Sequence, residues 1–227
     1  MTISAVILFG SRARGDYNAG SDVDLLFVTG EPQPRHHAVS KLSLSLYPMD
    51  KLLSQAADGD LFVFHLVSEA KPIYDPAGEF IRLQAAFRLR DSYDRDVAQA
   101  SDLGYLLSRF GDVLPNEGLV NRRIAWCVRT ILIGRAAEQR RPVFSPAALA
   151  AFSQDIAVEG LIRQKSASRP PEPDTLRCLR HFLERWGKLD PVPMAEAPDD
   201  YNQAFAMTNN YVAQSTLKNL LANSDYA

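Results

Sequence analysis

With 227 residues, 46% of them hydrophobic and 23% charged, the chain has the balance of an ordinary globular protein and room for one large domain or two small ones. A formal net charge of −2 excludes a global basic field for nucleic acid, so any nucleic acid would have to sit in a local patch. Two isolated cysteines, Cys127 and Cys178, stand in no metal spacing and suit a reducing compartment better than a disulfide scaffold. The first residues lack the basic start of a signal peptide, and no apolar run is long enough to cross a bilayer. The expectation is a cytoplasmic protein with no membrane partner.

Ala5 to Phe9 is a continuous apolar run ending in Gly10, the pattern of a buried strand. Val23 to Val28 is a second such run, closed by Gly30, Pro32 and Pro34. His36-His37 falls after Pro34 in what reads as a solvent-facing loop. Lys41 to Tyr47 alternates, with Leu42, Leu44 and Leu46 on one face and Ser43 and Ser45 on the other, as in a half-buried strand. Asp60 to Ala70 predicts an amphipathic helix and Lys71 to Tyr74 a short edge segment.

Beyond Asp75 the texture is helical. Leu83, Phe87, Val97, Leu103, Leu106 and Leu107 recur at helical spacing before Pro115. A second helix is predicted from about Glu117 to Arg140, and a third after the cap Ser145-Pro146. The Pro-rich segment Ser168 to Pro173 reads as a linker with Asp174 capping the next helix. A last helix is expected from Asp199 to about Leu221. The reading is therefore an α/β domain at 1–75 (a small mixed sheet with helices), an all-α helical bundle at 76–221, and a tail at 222–227 carrying Tyr226.

Gly10 follows the first strand directly, where free backbone N–H groups can face an anion. Gly10 permits close backbone approach, Ser11 can donate its hydroxyl, and Arg12 or Arg14 can bring charge to a phosphate. Asp22 and Asp24 lie two apart on a strand, so both carboxylates project from one face about 6–7 Å apart. That spacing suits two Mg²⁺ ions shared with a triphosphate. Two like charges so close are unfavourable unless a cation sits there.

The two parts, Gly10-Ser11-Arg12-Ala13-Arg14-Gly15-Asp16 and Ser21-Asp22-Val23-Asp24-Leu25, resemble the signature of the DNA polymerase β-like nucleotidyltransferases, especially the bacterial minimal forms. The resemblance covers residues 3 to 75. It implies that Gly10, Ser11, Arg12 and Arg14 bind the triphosphate and that Asp22 and Asp24 hold two Mg²⁺ (or Mn²⁺). It also implies that a nucleoside monophosphate passes from a (d)NTP, with ATP or dATP favoured, to a hydroxyl. The family places a third carboxylate on the next strand; here the matching face carries Ser43 and Ser45, with Glu69 and Asp50 the nearest acids. His65, four residues before Glu69, is expected to pack as a core histidine, and Asn121, Arg122, Arg123 and Arg129 as ordinary helix residues.

Tyr226 on its short polar tail is either an acceptor for the chain's own active site or an exposed residue of no consequence. The first option resembles the nucleotidyltransferases of the Hailong anti-phage systems. There a C-terminal tyrosine primes a short DNA oligomer that restrains an effector protein. The alternatives are an antitoxin-type enzyme that adds AMP to a partner toxin, a drug-modifying transferase, and a catalytically weak nucleotide-binding module.

Overall fold

The computed structural model describes residues 2–221. The chain divides into two compact units, the first ending at Asp91 and the second beginning at Ser92.

The first unit runs β1 (Ile3–Phe9), α1 (Gly10–Arg14), β2 (Val23–Thr29), β3 (Arg35–Val39), β4 (Leu42–Pro48), α2 (Met49–Ala57), α3 (Leu61–Glu69), β5 (Lys71–Tyr74) and α4 (Glu79–Ala86). Its mixed sheet has the order β3-β4-β2-β1-β5. β1 is antiparallel to β2 and β5, β4 is parallel to β2, and β3 is antiparallel to β4. Alternation puts Ala5, Ile7, Phe9, Leu26 and Val28 on one face of the sheet. Leu52 and Ala56 of α2, Val63 and Leu66 of α3, and Phe80 and Leu83 of α4 cover that face. Each large side chain so buried contributes about 1.5–3 kcal/mol, which is why α4, beyond residue 75, packs as part of this unit. Asp60 caps α3 by accepting from the Phe62 and Val63 amides.

Two elements here depart from the sequence reading. Arg35–Val39 is an edge strand, not a loop, although every residue in it is exposed. It has no apolar alternation of its own to announce it; pairing with β4 across the Ser40 turn (φ 53°) makes it a strand. α2 was also unforeseen, since Pro48 closes β4 and the helix begins at once.

The second unit holds α5 (Asp94–Phe110), α6 (Glu117–Glu138), α7 (Pro146–Ser153), α8 (Ala157–Arg163), α9 (Pro173–Trp186), α10 (Tyr201–Met207) and α11 (Tyr211–Leu221). α6 is its axis, with Ile124, Val128, Ile131 and Leu132 fully buried. Ser145 caps α7 as expected. α9 starts on Pro173 without a side-chain cap; Asp174 sits in its first turn and pairs with Arg177 instead. The expected last helix is broken in two. Asn209 takes φ 50°, and the buried Asn210 caps α11 through Ala213 N while donating to the Gln99 carbonyl of α5. Together with a preceding short turn at Pro198–Asp200, these side-chain hydrogen bonds override helix continuity.

The same junction holds Asp102 of α5, only 5% exposed, which accepts from the Thr208 hydroxyl at 3.4 Å. Burial pushes its carboxyl up to about 6, although hydrogen bonds from Thr208 and Asn210 oppose the rise; an unfolded chain holds it near 3.9. The fold thus favours the protonated acid. That contribution is complete below about pH 4 and lost as pH rises through about 6. Asp102→Asn is expected to raise the melting temperature by a few degrees near pH 7.5 and change it little near pH 4, as calorimetry at the two pH values would read.

Candidate active site

β1 ends at Phe9, and the chain turns through Gly10 at φ +73° into α1. In the β1–β2 register Phe9 lies opposite Asp24. A Cβ added to Gly10 would stand 2.5 Å from Asp24 Oδ2. The carboxylate therefore rests directly against the backbone of the turn. Ser11 follows at once, and α1 begins without a side-chain cap, leaving its first amides without helical partners. Asp22 stands just ahead of β2, two residues from Asp24. Gly10, Ser11, Asp22 and Asp24, twelve or so residues apart in the chain, are thus brought together where β1 leaves and β2 enters the sheet.

The two arginines of the motif are tied to the loop between these halves. Arg12 donates to the Ser21 carbonyl at 3.2 Å and stacks over the Tyr17 ring, 4.9 Å from its centroid. Its Nε is buried and has no hydrogen-bond partner among the described residues. Arg14 binds both carboxylate oxygens of Asp16 at 3.1 Å and Glu69 at 2.5 Å. Glu69 in turn hydrogen-bonds His65, whose ring packs edge-on against Phe9. Arg14, Glu69 and His65 are each less than a fifth exposed. This chain of contacts fixes α1 to α3 and so fixes the turn.

On the other flank, β4 runs parallel to β2 with Ser43 beside Asp24 and Ser45 beside Leu26. No carboxylate stands on this face of β4. Asp50 is excluded as a third acid by position. It lines a cavity of about 610 Å³ with Thr29, Gly30 and Pro48 at the far end of β2, five residues or about 16 Å from Asp24. Glu69 lies on the near side, held between a guanidinium and an imidazole. Among the described residues no three His, Cys, Asp or Glu side chains cluster as a metal site. His36, which the sequence reading placed in a solvent-facing loop, lies on β3. Its Nδ1 lies 3.0 Å from Ser45 Oγ and its Nε2 3.5 Å from Ser43 Oγ. Pairing Arg35–Val39 with the alternating strand that follows would have exposed it. Asn121 is fully buried and holds the Ala167 and Arg169 carbonyls, and Arg129 holds that of Phe144, so both serve the helical unit's own packing. Tyr226 lies outside the described residues.

Residues 2–82 match the family model of the nucleotidyltransferase domain. This segment, from β1 into α4, is a nucleotidyltransferase domain of the polymerase β-like superfamily. No curated protein matches the chain. Among solved structures, a nucleotidyltransferase-like protein from Exiguobacterium sibiricum 255-15 is similar at 19% identity. It aligns over 80% of this chain and 69% of its own with a TM-score of 0.31, a likeness too loose to speak of activity.

Gly10→Ala should both strain the backbone and drive the Asp24 carboxylate off the turn. A stability loss on the order of 1–3 kcal/mol is expected in urea unfolding. Glu69→Gln should act on stability too, costing roughly 1–3 kcal/mol because the Arg14 guanidinium loses a charged partner. Asp50→Asn, at the far end of the sheet, should leave turnover unchanged.

Proposed function

We propose that the chain moves a nucleoside monophosphate from a (d)NTP to an acceptor hydroxyl, releasing pyrophosphate, at the junction of Gly10-Ser11 with Asp22 and Asp24. The observation that carries this reading is the contact of the Asp24 carboxylate with the Gly10 turn. An acid pressed against the amides of a phosphate turn would repel the phosphate unless a cation is shared between them. Two carboxylates supply hard oxygen donors of the kind Mg²⁺ takes, and its other ligands are then phosphate oxygens and water. Bound there, Mg²⁺ or Mn²⁺ would neutralise the charge that builds on the triphosphate.

The protein's own groups then have distinct tasks. Ser11 donates its hydroxyl to the far end of the triphosphate, and the first amides of α1 add N–H donors. Asp22 and Asp24 fix the position of the α-phosphate end. Arg12 and Arg14 keep the intervening loop, and so Asp22, in register with the turn. The acceptor oxygen bonds to the α-phosphorus as the bond to the bridging oxygen breaks, and pyrophosphate carries the electron pair away.

For the acceptor, the sequence supports Tyr226 of the same chain as primer of a short DNA oligomer in anti-phage defence. An antitoxin-type transfer of AMP to a partner toxin is the alternative. Among the described residues no helix is long and apolar enough to cross a membrane, and Cys127 and Cys178 are free thiols, in keeping with a cytoplasmic setting.

Purified protein incubated with each α-labelled nucleoside triphosphate and Mg²⁺ should release pyrophosphate, most with ATP or dATP. Asp22→Ala and Asp24→Ala should each lower this release by at least about 10²-fold while the fold remains, and Ser11→Ala should weaken triphosphate binding by about 1–3 kcal/mol. Activity intact in the double aspartate variant would sink the assignment. Intact-mass spectra should show nucleotide-sized adducts lost in Tyr226→Phe if the tail is the acceptor; adducts on an added protein only would favour the alternative.

A further inference from the structure

Resting on the transferase reading, we propose that His36 is the group that takes the proton from the acceptor hydroxyl, with Ser43 as the hydroxyl next to Asp24 through which it reaches the site. Four observations converge on it. The parallel register sets Ser43 beside Asp24, and side chains paired this way share a sheet face at a strand spacing of about 4.8 Å. Ser45, two residues on, shares that face and is only 3% exposed. In the antiparallel β3–β4 register His36 lies opposite Ser45. Its ring spans both hydroxyls, Nδ1 at 3.0 Å from Ser45 and Nε2 at 3.5 Å from Ser43. Asp24, Ser43, Ser45 and His36 thus lie side by side in one polar row on a face whose other end is the apolar core.

That row has no structural need for an imidazole. β3 is exposed throughout, and His36 fills no core position. Two serines side by side on the helix-covered face of a strand are equally out of place as packing residues. With Nδ1 set against Ser45 Oγ, the ring turns Nε2 toward Ser43 and the Asp24 end of the row; in the tautomer that carries its proton on Nδ1, Nε2 keeps a lone pair.

The other titratable and charged groups on this side are few. Lys41, just ahead of β4, donates to the Ala19 carbonyl at 2.7 Å. Tyr47, two residues beyond Ser45, has its phenol pushed up by burial and by Asp60. Asp22 and Asp24 stand on the β2 side. On β3 itself Arg35 and His37 alternate to the opposite face, Arg35 pairing with Glu31.

The step balances without an added reactant. The acceptor hydroxyl gives its proton to Nε2 of His36, either directly or by passing it to Ser43 Oγ as Ser43 passes its own to the ring. The acceptor oxygen forms its bond to the α-phosphorus, the bond to the bridging oxygen breaks, and pyrophosphate leaves. The imidazolium then returns its proton to water. An imidazole suits the task because the neutral ring carries an N–H donor on one nitrogen and a lone pair on the other.

The test measures pyrophosphate release from ATP and from dATP with Mg²⁺, across pH, for the wild type and for His36→Gln, His36→Ala, His36→Asp, Ser43→Ala and His37→Gln. Calorimetry of triphosphate binding runs beside it. Expected for His36→Gln is a fall in kcat of about 10²-fold or more with triphosphate Kd unchanged within about twofold. The wild-type rate should show a pH-dependent limb that vanishes in His36→Ala and returns on addition of imidazole. His36→Asp should regain part of the rate with its limb moved to lower pH, and Ser43→Ala should lose rate without losing affinity. His37→Gln, facing the other way, should behave as wild type. Turnover that His36→Gln keeps with the same pH limb overturns the role of His36 and leaves the transferase reading standing. A wild type that releases no pyrophosphate overturns the transferase reading and this assignment with it.

Discussion

The structure of the site depends on the absence of one carbon atom. Gly10 has no Cβ, and the volume that a Cβ would occupy is taken by the Asp24 carboxylate at 2.5 Å. Any other residue would also have to hold φ near +73°, a conformation costly to L side chains. One position thus serves both as turn and as seat for an acid. Because β1 and β2 are antiparallel neighbours with Phe9 opposite Asp24, the turn leaving one strand and the acid entering the next meet without any long-range adjustment. The motif works as a unit because the hydrogen-bonded ladder fixes the two halves.

Around this contact the molecule uses its charges for position. Arg12 and Arg14 both hold the loop that carries Asp22, one through a carbonyl and an aromatic face, the other through two carboxylates. A partly buried guanidinium with two acidic partners is strongly favoured to stay paired, since separating it would leave a desolvated charge. The Arg14–Glu69–His65 chain reaches α3, whose apolar side is anchored in the core by Val63 and Leu66. The turn is therefore connected through three side chains to the packed interior.

The two flanks of Asp24 are chemically unlike. On the β1 side the Glu69 carboxylate joins the Arg14 guanidinium to the His65 imidazole; on the β4 side stand two hydroxyls and one imidazole. The Glu69 carboxylate is held by Arg14 and His65, whereas the His36 ring faces the hydroxyls of Ser43 and Ser45. On the proposed assignment, the first flank serves architecture and the second chemistry.

The sequence by itself determined the turn, the acid pair and the strands that bear them. These features are local: a glycine after an apolar run, two aspartates at a period of two, and alternation strict enough to place Ser43 and Ser45 on the face of Asp24. It also placed Ser145 as a helix cap and His65 as a packed residue, since both follow from neighbours within one turn. What only the tertiary structure decided depends on partners distant in the chain. His36 belongs to a strand that exists because β4 pairs with it, and no pattern within Arg-His-His-Ala-Val announces that. Asp50 is close to Ser45 in sequence yet at the opposite end of the sheet, because the parallel strand carries the chain away from Asp24 before α2 begins. The final helix divides at Asn209 because Asn210 has an α5 carbonyl to bind, more than a hundred residues upstream. Local periodicity can state which side of an element faces inward; it cannot state which element lies across from it, and hydrogen bonds between elements made the difference at each of these three places.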